Sequence, residues 1–118
     1  KLWCVFGCGG GRDTGKRVEM GRIAAELADE LVLTTDNPRE EAPESILKDI
    51  QQGFQGRDAL VLLDRAEAIA YALTHAASDD VVLVAGKGHE TYQEIMGVRY
   101  PFSDVEQVRI ALNKWSAA

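Results

Sequence analysis

The tetrapeptide Asp36-Asn37-Pro38-Arg39 places an acid, an amide and a guanidinium directly after an apolar run. Ligand sites in open α/β sheets form at the carboxyl ends of strands, so a polar cluster in this position can bind a small polar molecule. Pro38 restricts its own φ and pushes Asn37 towards extended backbone, which leaves the neighbouring side chains little freedom to lose on binding. An ordinary Asx-Pro turn with a solvated arginine explains the tetrapeptide alone equally well.

Two other polar segments also follow apolar runs, at positions 7–17 and 86–90. If the three runs are parallel strands, their carboxyl ends lie at one edge of the sheet, and Arg12, Arg39 and Glu90 converge there. Two cations and one anion around one cleft suit a ligand that carries both carboxylate and ammonium groups.

The glycine-rich segment at 7–17 invites a nucleotide-binding interpretation, but its motif is incomplete. Arg12 stands where the dinucleotide fingerprint beginning at Gly7 requires a glycine, and the sequence contains no Gly-x4-Gly-Lys-Ser/Thr phosphate loop. The backbone N–H groups, with Arg12, Lys16 and Arg17, could still contact phosphate or carboxylate oxygens supplied from outside. Asp13 could equally cap the helix that follows, and a stand-alone nucleotide-binding module remains an alternative.

Neither a catalytic residue nor a metal site is predicted. His89 has no nucleophile or second metal ligand near it in sequence, so a structural role is favoured. Asp64, Ser103 and Asp104 stand where helices are expected to begin, which indicates caps rather than catalysts. Pro43 is a good first-turn residue for the same reason.

Composition excludes several classes of function. The chain has 118 residues, of which 46% are hydrophobic and 27% charged, as expected for one globular domain with its own core. A net charge of −6 without a basic face argues against nucleic-acid and membrane-surface binding. No apolar stretch approaches the roughly 20 residues of a membrane span, and Cys4 and Cys8 are expected to be free thiols in a reducing compartment. A cytoplasmic protein is predicted.

Strand-like and helix-like segments alternate along the chain. Strands are predicted at 2–7, 30–34, 59–63 and 81–85, and helices at 16–28, 43–52, 65–77 and 104–115. This order predicts a Rossmann-like α/β fold, a mostly parallel sheet flanked by helices. Segments 91–96 and 99–102 predict a hairpin that adds an antiparallel strand at one edge. The expected core faces of the helices comprise Ile23, Leu27 and Leu31, and Ile46, Ile50 and Phe54.

Taken together, the motifs resemble the C-terminal domain of the Mur ligases, which build peptidoglycan precursors. The resemblance covers nearly the whole chain and runs through 6–10, 12–17, 35–39, 65–69, 85–90 and 103–104. It is strongest to the branch that adds meso-diaminopimelate to UDP-MurNAc-L-Ala-D-Glu. In that branch Asp-Asn-Pro-Arg is associated with diaminopimelate selection, whereas lysine-adding relatives carry a different tetrapeptide.

The resemblance implies a substrate site for meso-diaminopimelate formed by Arg12, Asp36, Asn37, Arg39, Gly86 and Glu90, with possible ATP or phosphate contacts from Asp13 and Lys16. It also implies an ATP- and Mg²⁺-dependent amide ligase of the bacterial cytoplasm, expected to be monomeric. The domains that bind ATP and the UDP-sugar do not occur in these 118 residues, so the isolated chain is expected to be inactive. Gly11 departs from the acidic or amide residue found in many relatives. A lysine-adding ligase domain remains the alternative within the family.

Overall fold

The structure, a computed structural model, describes residues 1–11 and 14–117. In this part of the chain the elements follow in the order β1 (Leu2–Phe6), α1 (Gly15–Leu27), β2 (Glu30–Leu33), α2 (Pro43–Gln51), β3 (Leu60–Val61), α3 (Arg65–His75), β4 (Val81–Ala85), β5 (Tyr92–Ile95), β6 (Val98–Pro101) and α4 (Asp104–Ala117). None of these helices is long and apolar enough to cross a membrane.

Four of the strands form one parallel sheet in the order β3-β2-β1-β4. Phe6, the last residue of β1, lies opposite Leu33 of β2 and Ala85 of β4, so the three strands end in line. The three segments that follow them therefore leave from the same edge. The predicted Rossmann-like α/β class is confirmed, together with the shared edge on which the site prediction depends.

The core lies on both faces of the sheet because side chains alternate along each strand. In β1, Cys4 and Phe6 belong to one apolar cluster, and Trp3 and Val5 belong to the other. The first cluster includes residues of α2, among them Ile46, Leu47 and Ile50, and the second includes Ala68, Ile69 and Ala72 of α3. The sheet is thus the middle layer of three.

The predicted core face of α1 is wrong in part. Leu31 is buried, but Ile23 is 44% and Leu27 68% exposed. The buried residues of α1 are Arg17 and Gly21, because the helix turns this face towards α2. A Cβ on Gly21 would lie 2.1 Å from the carbonyl oxygen of Ile50, so the two helices approach too closely for any larger residue.

The hairpin forms, but not where it was predicted. β5 and β6 pair antiparallel in a sheet of their own and do not extend the edge of the four-stranded sheet. The backbone of β5 and of Met96, directly after it, is instead bonded to the loop after β2: Arg39 N donates to Glu94 O at 2.9 Å, and Met96 N donates to Arg39 O at 2.7 Å. The loop after β2 therefore occupies backbone groups of β5 that would otherwise be free to pair with a strand of the four-stranded sheet.

The helix caps agree with the sequence. Asp64 accepts a hydrogen bond from Glu67 N at 3.3 Å, and Ser103 accepts one from Glu106 N at 3.3 Å. Pro43 occupies the first turn of α2. Both cysteines are free and buried as expected, and burial raises the pKa of the Cys8 thiol to about 11.

Candidate functional site

The glycine loop (residues 7–11) and the Asp-Asn-Pro-Arg loop (residues 36–39) are bonded to each other at the carboxyl edge of the sheet. Gly10 N donates to Asn37 O at 2.7 Å, and Nη1 of Arg39 donates to Gly10 O at 2.8 Å. A Cβ on Gly10 would stand 1.9 Å from Pro38 O. Glycine is therefore required at position 10 for the two loops to approach this closely.

Arg39 has a left-handed backbone, with φ at 55°, which is uncommon for a residue other than glycine. The two backbone bonds to β5 hold it in this conformation. Its side chain is 24% exposed, and Nε lies 4.0 Å from Oε2 of Glu94. Arg39 lines a cavity of about 310 Å³ with Glu40, Glu41, Glu94 and two glycines, so its guanidinium faces a partly acidic space.

Asn37 is the centre of the hydrogen-bond network at this edge, and it is only 3% exposed. Its Oδ1 accepts from Lys87 Nζ at 3.0 Å and from Glu94 N at 2.9 Å. Its Nδ2 donates to Oε1 of Glu90 at 3.3 Å, across 53 positions of sequence. The structure therefore brings together the loop after β2 and the Gly-Lys-Gly loop (residues 86–90), as the sequence predicted.

Lys87 is a residue of this cluster that the sequence analysis missed as part of the site. Its side chain is fully buried, and Nζ lies 2.8 Å from Oδ1 of Asp36 and 2.8 Å from the carbonyl oxygen of Tyr92. The flanking glycines, with φ of 116° at Gly86 and 56° at Gly88, were the available signal, since they let the loop turn the lysine inwards. Asp36, predicted to bind substrate, has one carboxylate oxygen engaged by Lys87, and its substrate role stays a prediction.

A second cavity, of about 470 Å³, lies between the glycine loop and the start of α1. Lys16, Asp36 and Gly86 line it together with the glycine loop. Lys16 is exposed, so its ammonium can reach a ligand there. Arg12 and Asp13, two of the predicted site residues, lie outside the described residues.

Arg17 was expected, with Arg12 and Lys16, to contact phosphate or carboxylate oxygens of a ligand, but its side chain is only 2% exposed. Its guanidinium donates to both carboxylate oxygens of Glu41, to Asp49 and to the carbonyl oxygen of Gly9. Glu41 also accepts from Gly11 N at 2.9 Å. The hydrogen bonds from Arg17 and from Gly11 lower the pKa of Glu41 to about 2. Through Arg17 of α1, these bonds connect the glycine loop to Asp49 of α2.

Arg65 and Asp104 form a bidentate ion pair on the other side of the edge, with Nε–Oδ1 at 2.7 Å and Nη2–Oδ2 at 2.8 Å. The same guanidinium donates to the carbonyl oxygens of Thr35 at 3.0 Å and Ala85 at 3.1 Å. Asp104, predicted as a helix-start residue, thus joins α4 to α3 and to the ends of β2 and β4.

The predicted site residues in the described part of the chain all lie at one edge: Asp36, Asn37, Arg39, Gly86 and Glu90. His89 is exposed, as a surface residue of the loop. Within residues 1–11 and 14–117, no group of three or more His, Cys, Asp or Glu side chains could hold a metal ion. The arrangement provides donors and carboxylates for a zwitterionic ligand.

A parallel sheet with three polar loops at its carboxyl edge is the architecture of an α/β ligand-binding domain. The model of one protein family, described as the Mur ligase, glutamate ligase domain, matches residues 1–88. The chain belongs to the Mur ligase family.

Relatives with curated descriptions are similar along nearly all of the chain. The UDP-N-acetylmuramoyl-L-alanyl-D-glutamate--2,6-diaminopimelate ligase of Pseudomonas aeruginosa is 58% identical over 116 residues, covering 98% of this chain and 24% of that protein. The ligase of the same name from Chlorobaculum tepidum is 60% identical over 106 residues, covering 90% of this chain and 21% of that protein. A solved structure of a ligase with this name aligns with a TM-score of 0.91 and 49% identity, covering 98% and 24%. The chain spans about a quarter of the length of these relatives.

Proposed function

We propose that this chain is the domain that binds the incoming amino acid in a ligase that adds meso-diaminopimelate to UDP-MurNAc-L-Ala-D-Glu. The observation that carries the proposal is the contact between Asn37 and Glu90, which joins two separate loops beside Arg39 at one edge. Relatives named for the diaminopimelate reaction support the choice of substrate. A lysine-adding ligase is the competing assignment.

The ligand chemistry fits the side chains at this edge. Diaminopimelate carries an ammonium and a carboxylate at each end, whereas lysine lacks the distal carboxylate. Arg39 would bind that carboxylate through charge-assisted hydrogen bonds, and Arg12 is expected to add a second guanidinium. Glu90, whose side chain is 38% exposed, would accept from an ammonium group. Lysine would leave Arg39 without its partner, which costs affinity and gives selectivity.

The family's reaction requires ATP and Mg²⁺, and the described residues fit these groups incompletely. Lys16 beside the larger cavity could contact a phosphate oxygen, but these residues include neither a phosphate loop nor a group of carboxylates for Mg²⁺. We therefore assign ATP activation to the rest of the ligase. This domain would deliver the amine and exclude water when it closes over the activated carboxyl group. We further propose a monomeric enzyme of the bacterial cytoplasm, with the 118 residues alone releasing no phosphate from ATP.

The test uses the full-length ligase that contains this domain, with the substitution Arg39→Ala. We expect kcat/KM for meso-diaminopimelate to fall by about tenfold to over a hundredfold, or about 1.5–3 kcal/mol, because a charge-assisted bond is lost. The KM for ATP should not change. Arg22→Ala is the matched control, since Arg22 is an exposed arginine on α1 whose partners are Glu19 and Glu26.

Two results would contradict the proposal. One is an unchanged kcat/KM for diaminopimelate in the Arg39→Ala variant. The other is a wild-type ligase that uses L-lysine as efficiently as diaminopimelate, which would favour the lysine-adding assignment.

A further inference from the structure

Lys87 is a fully buried cation that is surrounded by oxygen atoms. Its Nζ donates to Oδ1 of Asn37 at 3.0 Å and to the carbonyl oxygen of Tyr92 at 2.8 Å, and it forms an ion pair with Oδ1 of Asp36 at 2.8 Å whose geometry is not that of a hydrogen bond. Oε1 of Glu90 follows at 3.8 Å. Because the Lys87 side chain is 0% exposed, a substrate cannot reach its ammonium group, and Lys87 is neither a catalytic nor a ligand-binding residue.

The same bonds decide which way the Asn37 amide points. An ammonium only donates, so the atom of Asn37 that faces Lys87 must be the oxygen. The backbone N–H of Glu94 donates to the same oxygen at 2.9 Å. The amide nitrogen is therefore turned towards Glu90, to which it donates at 3.3 Å.

We propose that Lys87 is a positioning residue for the amino-acid site. It fixes Asn37 as a donor and holds the Glu90 carboxylate beside it, so that a ligand carboxylate meets a donor while a ligand ammonium meets an acceptor. This inference rests on the proposed function. Lys87 is buried beneath Asn37 and Glu90, acts through these two side chains, and does not touch the ligand.

An alternative role for Lys87 is to stabilise the fold by neutralising the charge of Asp36. The Asp36 side chain is 11% exposed, and a carboxylate that loses its partner at this degree of burial destabilises the fold. The two roles are separable because Asp36→Asn removes the charge that needs neutralising, while the Asn37 and Glu90 side chains stay unchanged.

The experiment is a double-mutant cycle in the full-length ligase with Lys87→Met, Asp36→Asn and the combined variant. Thermal unfolding measures the fold, and KM is measured separately for meso-diaminopimelate and for ATP. We expect Lys87→Met to lower Tm and the combined variant to regain most of that loss. The combined variant should still have a KM for diaminopimelate about tenfold above that of Asp36→Asn alone, with the KM for ATP within about twofold. Lys48→Met, which removes an exposed lysine of α2, is the control for the loss of a positive charge.

A combined variant with the same KM for diaminopimelate as Asp36→Asn would overturn the inference, because Lys87 would then serve only to neutralise Asp36. That result leaves the proposed function intact if the wild-type ligase uses diaminopimelate. A wild-type ligase that does not use diaminopimelate would instead refute the proposed function, and the positioning role with it.

Discussion

Arg65 and Lys87 are two of the buried cations at the carboxyl edge of the sheet, and their surroundings differ. Arg65 has a fully buried side chain, and its partner Asp104 is 7% exposed. Lys87 is equally buried, but its neighbour Glu90 is 38% exposed. The Arg65 pair is closed on all sides, whereas the Lys87 cluster reaches the surface through Glu90.

The partners of the two cations explain the difference. Arg65 bonds to Asp104 at the start of α4 and to the carbonyl oxygens of Thr35 and Ala85, just after β2 and at the end of β4. Arg65 thus connects the helices α3 and α4 to the ends of β2 and β4, which we call the framework of the domain. Lys87 bonds to side chains of the Asp-Asn-Pro-Arg loop and to Tyr92, and these contacts orient the loops around the candidate site. Similar chemistry thus supports the framework in one place and the site in the other.

The largest expected effect is on the framework. Arg65→Met leaves the Asp104 carboxylate buried without its partner, and we expect the free energy of unfolding to fall by about 3–5 kcal/mol. Urea denaturation measures it. The double variant Arg65→Met with Asp104→Leu should regain much of this loss, because no buried charge remains. A loss below about 1 kcal/mol in the single variant would show that the pair is solvated, and the contrast with Lys87 would disappear.

A smaller effect on stability, with a larger one on the site, is expected for Gly10→Ala. The added methyl would meet Pro38 O at 1.9 Å, so the two loops must move apart, at a cost of about 1–3 kcal/mol. Because Arg39 bonds to Gly10 O, we also expect a raised KM for diaminopimelate in the full-length ligase.

Gly56→Asn is the matched control for that substitution. Gly56 lies between α2 and β3, outside the cavity beside Arg39; its φ is 89°, and no atom of the described residues lies within 4 Å of an added Cβ. Asparagine tolerates a positive φ better than most residues, so the variant should keep its KM. If both variants behave alike, the close contact at Gly10 does not position Arg39.

The smallest effect concerns Glu41, which is bonded to Arg17 behind the glycine loop. Folding lowers its pKa from 4.5 to about 2, chiefly through the hydrogen bonds from Arg17. The unfolded chain therefore binds a proton more readily, and the stabilisation is complete above pH 4.5 and lost as the pH falls towards 2. Urea denaturation across this range should show a shallower decline for Glu41→Gln than for the wild type. If the free energy of unfolding falls equally steeply with pH in both proteins, the charge of Glu41 does not contribute to stability through Arg17.

Local features of the sequence were sufficient for the elements and for the shared edge. Hydrophobic period and cap residues act over a few positions, which is why Asp64, Ser103 and Pro43 mark helix starts correctly. Parallel strands place their carboxyl ends at one edge, so the sequence predicted that the loops carrying Arg39 and Glu90 meet there, although not that they meet through Asn37 and Glu90.

Long-range packing decided the rest. The rotation of α1 that exposes Ile23 and Leu27 follows from the close approach of α2. The hydrophobic period of one helix carries no information about such a neighbour. The hairpin lies on the Asp-Asn-Pro-Arg loop because β5 bonds to Arg39. Lys87 looks like a surface lysine in sequence, because a charged side chain is stable in the interior only with partners, and its partner Asn37 lies 50 positions away. The sequence by itself determined which loops meet at this edge, whereas only the tertiary structure decided which charged side chains are buried there, since that depends on partners from distant segments.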